Sequence, residues 1–137
     1  MKSKKPILLV EDDQVDVMTI QRAIKEIKVV NSLNVTRNGE EALAFLSREG
    51  TERPCVILLD LNMPKMNGIE FLRAVKKDPR LGVIPVVILT TSKEELDKSE
   101  SFKLGAAGYM IKPVDYQQFL EVIRTVDLYW TLSELPE

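Results

Sequence analysis

Five short apolar runs rich in β-branched residues alternate with longer segments of helical period, and no linker-like or low-complexity break interrupts them. Strands separated by helices run parallel and connect by right-handed crossovers. The pattern therefore predicts an α/β fold: a three-layer αβα sandwich, (βα)5, on a five-stranded parallel sheet. Strands are expected near residues 6–10, 33–36, 55–60, 84–90 and 107–112, the second being short and half polar in Leu33-Asn34-Val35-Thr36. Between them Ile20, Ile24 and Ile27 mark one helix face, Ala42, Phe45 and Leu46 a second, and Ile69, Leu72 and Val75 a third. Each stripe reads as core. Capping-box spacings start helices at Asn38 with Glu41, Ser92 with Glu95 and Asp115 with Gln118. Gly105 is expected to stop the fourth helix.

At 137 residues and 45% hydrophobic content the chain suits one domain over 1–137, with a core about 6–131 and a short tail 132–137. The formal charge is -2, and the basic start Lys2-Ser3-Lys4-Lys5 is too short to give nucleic acid or an anionic membrane an electrostatic footprint. Cys55, alone of its kind and inside an apolar run, reads as a small packed core residue. Too few apolar residues precede Glu11 for a signal peptide, and no run approaches membrane-spanning length. A cytoplasmic protein is expected.

The chemistry lies at the strand ends. Pro6-Ile7-Leu8-Leu9-Val10 empties into Glu11-Asp12-Asp13, and Cys55-Val56-Ile57-Leu58-Leu59 ends in Asp60. In the flavodoxin-like strand order 2-1-3-4-5, strands 1 and 3 are neighbours, so these acids would converge where open α/β sheets bind ligands. Crowded carboxylates repel one another and persist mainly where a cation or shared proton neutralises them. Mg²⁺ (or Mn²⁺) fits, because such hard ions take oxygen ligands and commonly only one or two carboxylates, here Asp12 and Asp60. Thr90 closes the fourth run and Lys112 the fifth, bringing a hydroxyl and an ammonium suited to a phosphoryl group. A carboxylate nucleophile, a metal, a hydroxyl and a lysine describe acyl-phosphate chemistry, which needs no general base, and the chain has no histidine. The plainer alternative is that acids after a strand cap a helix, and Asp13 with Asp16 fits a solvated first turn. Asp60 has no such role, since the next helix starts several residues later.

These residues resemble the receiver domain of two-component response regulators (CheY-like) from about Pro6 to the last helix. The matching pieces are Val10-Glu11-Asp12-Asp13, Leu59-Asp60-Leu61-Asn62-Met63-Pro64 with Asn67-Gly68, Leu89-Thr90-Thr91-Ser92 and Gly108-Tyr109-Met110-Ile111-Lys112-Pro113. The resemblance implies that Asp60 is the phosphoacceptor, that Asp12 and the backbone carbonyl of Asn62 join it on Mg²⁺, and that Glu11 holds the ion through water. It implies that Thr90 and Lys112 contact the phosphoryl oxygens, that Tyr109 is an aromatic switch, and that a cis bond before Pro113 aims the lysine inward. Asn62 and Ser92 match positions that tune dephosphorylation.

A closer likeness, to regulators that partner cyanobacterial phytochromes and related sensor kinases, rests on Asp16, Lys77-Asp78-Pro79, the run Pro85 to Ser92, and Tyr129-Trp130. The implied partner is a sensor histidine kinase of phytochrome type, with the downstream protein target unspecified. With nothing after the last helix but Ser133-Glu134-Leu135-Pro136-Glu137, no attached output domain is expected, and the output is a changed surface read by partners. Phe119, Val122, Ile123, Val126, Tyr129 and Trp130 form a helical stripe. Most of it reads as core, while Tyr129 and Trp130 suit either core or a homodimer face. Three rivals remain. An aspartyl phosphatase of haloacid dehalogenase type expects an acid where Asn62 stands, a flavodoxin-type binding module expects a phosphate-cradling loop where Glu11-Asp12-Asp13-Gln14 stands, and the third is a phosphorylation-independent interaction module.

Overall fold

The computed structural model describes residues 5–26, 31–63, 65–91, 94–112, 117–119 and 121. Strands β1 (Ile7–Val10), β2 (Leu33–Thr36), β3 (Val56–Leu59), β4 (Val86–Thr90) and β5 (Gly108–Ile111) alternate with helices α1 (Gln14–Glu26), α2 (Gly39–Ser47), α3 (Gly68–Lys77) and α4 (Glu95–Lys103). Residues 117–119 and 121 are helical and belong to a fifth helix. The sheet is wholly parallel with order β2-β1-β3-β4-β5, as the alternation predicts. Even the half-polar second strand forms; at the sheet edge only Thr36 is buried, and the other three residues are half-buried.

Side chains alternate across a strand, and the alternation divides the core in two. Ile7, Leu9, Val56, Leu58, Val87, Leu89 and Met110 lie under Val17, Ile20, Ala23 and Ile24 of α1 and under Phe119. Leu8, Val10, Ile57, Leu59, Val86 and Ile88 lie under Ala42 of α2 and Phe71, Leu72 and Val75 of α3. Phe45, Leu46 and Ile69 pack against this second cluster half-buried, so the described members of the predicted stripes are core. Cys55 is buried as expected. Phe71 is fully buried, and emptying such a position to alanine costs about 3–5 kcal/mol.

The helix ends report one correction. Asn38 accepts from the Glu41 N–H at 2.9 Å as expected, and Asn67 with Glu70 forms a reciprocal capping box that sequence reading passed over. By contrast α4 begins at Glu95 with Glu94 as its cap residue, and the Glu94 side chain makes no capping bond. The helix thus starts two residues later than the Ser92–Glu95 spacing predicts. Glu95 and Asp97 in its first turn complement the helix dipole instead. Gly105 does end α4: its φ is +97°, its N–H donates to Phe102 O at 3.0 Å, and the Ala106 N–H donates to Ser101 O at 2.9 Å. Those two bonds satisfy carbonyls that the last turn leaves orphaned. Ile27, Pro64, Ser92, Pro113, Asp115, Val122, Ile123, Val126, Tyr129 and Trp130 lie outside the described residues. Among the described residues no helix is long and apolar enough to cross a membrane.

Candidate functional site

The ladder runs one residue past several strands. Glu11 N–H donates to Thr36 O at 2.9 Å, Asp60 N–H to Val10 O at 3.0 Å, and Lys112 N–H to Thr90 O at 2.8 Å. The two-residue period then decides sides. Glu11 follows Leu9, Asp60 follows Leu58 and Lys112 follows Met110, all three from the α1 side of the sheet. Thr90 follows Ile88, and Tyr109 packs against the α2–α3 cluster on the other side.

The acids meet. Carboxylate oxygens of Glu11, Asp12 and Asp60 lie within 4.8 Å of one another, with Glu11 and Asp60 buried and Asp12 exposed. Lys112 Nζ stands 2.5 Å from Glu11 Oε1, 2.7 Å from Asp16 Oδ2 and 3.8 Å from Asp60 Oδ2. Asn62 lies beside the same group, its backbone N–H 3.4 Å from Asp60 Oδ1 and its side-chain amide donating to Thr90 Oγ1 at 3.4 Å. Thr90 is fully buried. Tyr109 is half-buried, its ring centroid 6.4 Å from that of Phe102, and it borders a cavity of about 140 Å³ with Glu94, Glu95, Lys98 and Ile111.

Burial and charge work against each other here. Removal from water raises the Glu11 carboxyl to about 7, helped by the neighbouring Asp60 charge and opposed by Lys112. Burial also pulls the Lys112 ammonium down, but its hydrogen bonds to Asp16 and Glu11 and the Asp60 charge outweigh that pull and hold it above the ordinary lysine value. One ammonium thus stands against three carboxylates, and Asp12 adds a fourth to the cluster. An all-oxygen donor set with surplus negative charge suits a hard divalent cation.

The connection from Asp60 into α3 leaves no spare room. A Cβ on Gly68 would lie 2.5 Å from Leu61 Cα and 2.6 Å from Asp60 O, so only glycine lets α3 start this close to the acid. Lys65 in the same loop has φ +60°, a left-handed backbone that costs a non-glycine residue about 1–3 kcal/mol. Of the first-turn acids, Asp13 caps α1 as the plainer reading has it, accepting from Val15 N–H at 2.8 Å. Asp16 also stands in the first turn of α1, but it is not simply solvated. Its side chain is one-third exposed and its carboxylate is tied to Lys112. Local pattern could not find this pair, because its members lie 96 residues apart and meet only when α1 covers the face that Met110 shares with Lys112.

Similarity to known proteins agrees with this arrangement. The chain matches the response regulator receiver domain over residues 7–124. It is 38% identical to the response regulator Rcp1 of Synechocystis sp. over 92% of this chain and 88% of that protein. The solved Mn²⁺-bound form of Rcp1 superposes with a TM-score of 0.78, covering 92% of this chain and 94% of that one. The phosphorylated cyanobacterial phytochrome response regulator RcpA is 37% identical with a TM-score of 0.80, over 98% of this chain and 100% of that one. The bacteriophytochrome response regulator RtBRR is 45% identical with a TM-score of 0.79, over 90% of this chain and 78% of that one. Five parallel strands in the order β2-β1-β3-β4-β5, acids converging at their carboxyl ends and a match over most of the sequence lead to one conclusion: the chain belongs to the response regulator receiver-domain family, the phospho-accepting partners of two-component signalling.

Proposed function

We propose that Asp60 accepts the phosphoryl group in a Mg²⁺-dependent transfer from a sensor histidine kinase. An Asp60 oxygen attacks phosphorus, the phosphorus–nitrogen bond of the kinase's phosphohistidine breaks, and the leaving imidazole takes up a proton. Asp12, Asp60 and the backbone carbonyl of Asn62 would hold Mg²⁺ (or Mn²⁺), with Glu11 behind them through water. The ion supplies charge neutralisation between the carboxylates and the incoming phosphoryl oxygens. Lys112 and Thr90 take up those oxygens as donors. The observation that carries this reading is the convergence of Glu11, Asp12 and Asp60 within 4.8 Å, with Lys112 Nζ 3.8 Å from Asp60. The Mn²⁺-bound Rcp1 relative supports the choice of a divalent ion.

Signalling follows from packing. Thr90, drawn toward the phosphoryl group, frees space for Tyr109 beside its cavity and shifts the α4–β5 face between two arrangements. The chain's own site returns it to rest by assisting hydrolysis, tuned at Asn62 and Ser92. Since RcpA and RtBRR are phytochrome and bacteriophytochrome response regulators, the kinase we propose is of phytochrome type, acting in the cytoplasm. Incubation with acetyl phosphate and Mg²⁺, followed by intact mass measurement, tests the reading. A phosphoryl adduct is expected on the wild type and not on Asp60→Asn; an adduct on both, or on neither, overturns it.

A further inference from the structure

Lys112 does not rest on Asp60. Its three N–H donors are shared unequally: Glu11 at 2.5 Å and Asp16 at 2.7 Å are hydrogen-bonded, while Asp60 Oδ2 at 3.8 Å is beyond hydrogen-bond reach. Asp16 is not one of the three acids whose oxygens cluster, and it belongs to α1 rather than to a strand end. It approaches from α1, whereas Asp60 follows the end of β3. We infer that Asp16 is a positioning residue that holds the Lys112 ammonium against α1, off the Asp60 carboxylate, and so keeps Asp60 open to the divalent cation until a phosphoryl group claims the lysine.

The physical reason is competition for one anion. An ammonium and a hard cation both seek the Asp60 oxygens, and an ammonium at hydrogen-bond distance would neutralise the charge that the cation needs. With Asp16 in place, the ammonium finds two carboxylates without touching Asp60. Without it, one donor is released and the gap to Asp60 closes. A simple anion near a cation site would also favour cation binding, but that effect does not depend on the lysine. The dependence on Lys112 separates the two.

The inference rests on the proposed metal and phosphoryl reading of the site, and calorimetric Mg²⁺ titration of the full chain keeps the two apart. Asp16→Asn is expected to weaken Mg²⁺ binding roughly fivefold, within the coupling found between contacting residues. In a Lys112→Met background, or Lys112→Gln if the methionine variant does not fold, the same substitution is expected to change affinity by less than about twofold. Asp16→Glu, which keeps the carboxylate, should recover most of the wild-type affinity. An Asp16→Asn affinity equal to wild type overturns the inference, as does an equal loss with and without the lysine. If the wild type itself binds no Mg²⁺, the metal reading fails and this inference falls with it.

Discussion

Lys76 and Lys112 place the same ammonium at opposite ends of the sheet, and their surroundings send it in opposite directions. Lys76, in the last turn of α3, donates to Gly82 O at 2.9 Å and Ile84 O at 3.2 Å, just ahead of β4. Neutral carbonyls do not repay the loss of water, and burial holds it below the ordinary lysine value. Lys112, just past β5, loses as much water but meets carboxylates, and is held above that value. One end of the sheet uses a cation to staple a loop. The other leaves negative charge in excess of its cation, an arrangement a fold retains when something positive or a phosphoryl-bearing partner is to come.

The comparison breaks most readily at Lys112. Removing one partner of a buried ion pair leaves charge uncompensated, so Lys112→Met should lose about 3–5 kcal/mol in chelator at alkaline pH. Urea unfolding with and without Mg²⁺ checks it, and the cation is expected to restore most of the loss. Glu11 gives the next effect. Its folded-state value of about 7 lies above the ordinary 4.5, so between these the folded chain keeps a proton that the unfolded chain has released. The stability this contributes is full below the lower value and lost as pH rises through the higher one. Metal-free protein should therefore weaken across that window by something on the order of 3 kcal/mol, and Glu11→Gln should flatten the slope of denaturation midpoint against pH.

Lys76→Met is the counterpart. It frees two carbonyls but also removes a desolvated charge, so a loss of about 1–2 kcal/mol is expected, indifferent to Mg²⁺. Should Mg²⁺ rescue this variant too, the distinction between the two ends would fail. Arg73 with Glu100 at 3.0 Å, exposed by 45% and 37%, sets the floor. Arg73→Ala is expected to cost no more than about 1 kcal/mol, less as salt is raised, in the same unfolding assay.

How much of this was legible beforehand differs by residue. Asp60 could be read because a carboxylate that ends a wholly apolar run lacks any local use, and Thr90 and Lys112 because they end runs of the same kind. Glu11 and Asp12 were legible only in company with Asp60. Asp16 was readable as a first-turn acid but not as the lysine's second partner. α4 starts two residues past the point that the Ser92–Glu95 spacing predicts, because such a spacing recurs in many stretches where it does not set a helix start, whereas the Asn67–Glu70 box carries the same signal and does form.

The order of residues by itself determined the parallel α/β architecture and which side chains stand at strand ends, since periods of 2 and 3.6 are local properties written directly in the chain. Only the tertiary structure decided which of those ends share a face, how far Lys112 stands from each carboxylate, and that Glu11 is buried enough to hold its proton near neutrality. Those quantities depend on which helix covers which face of the sheet and on how much water it excludes, and packing between residues distant in sequence sets both.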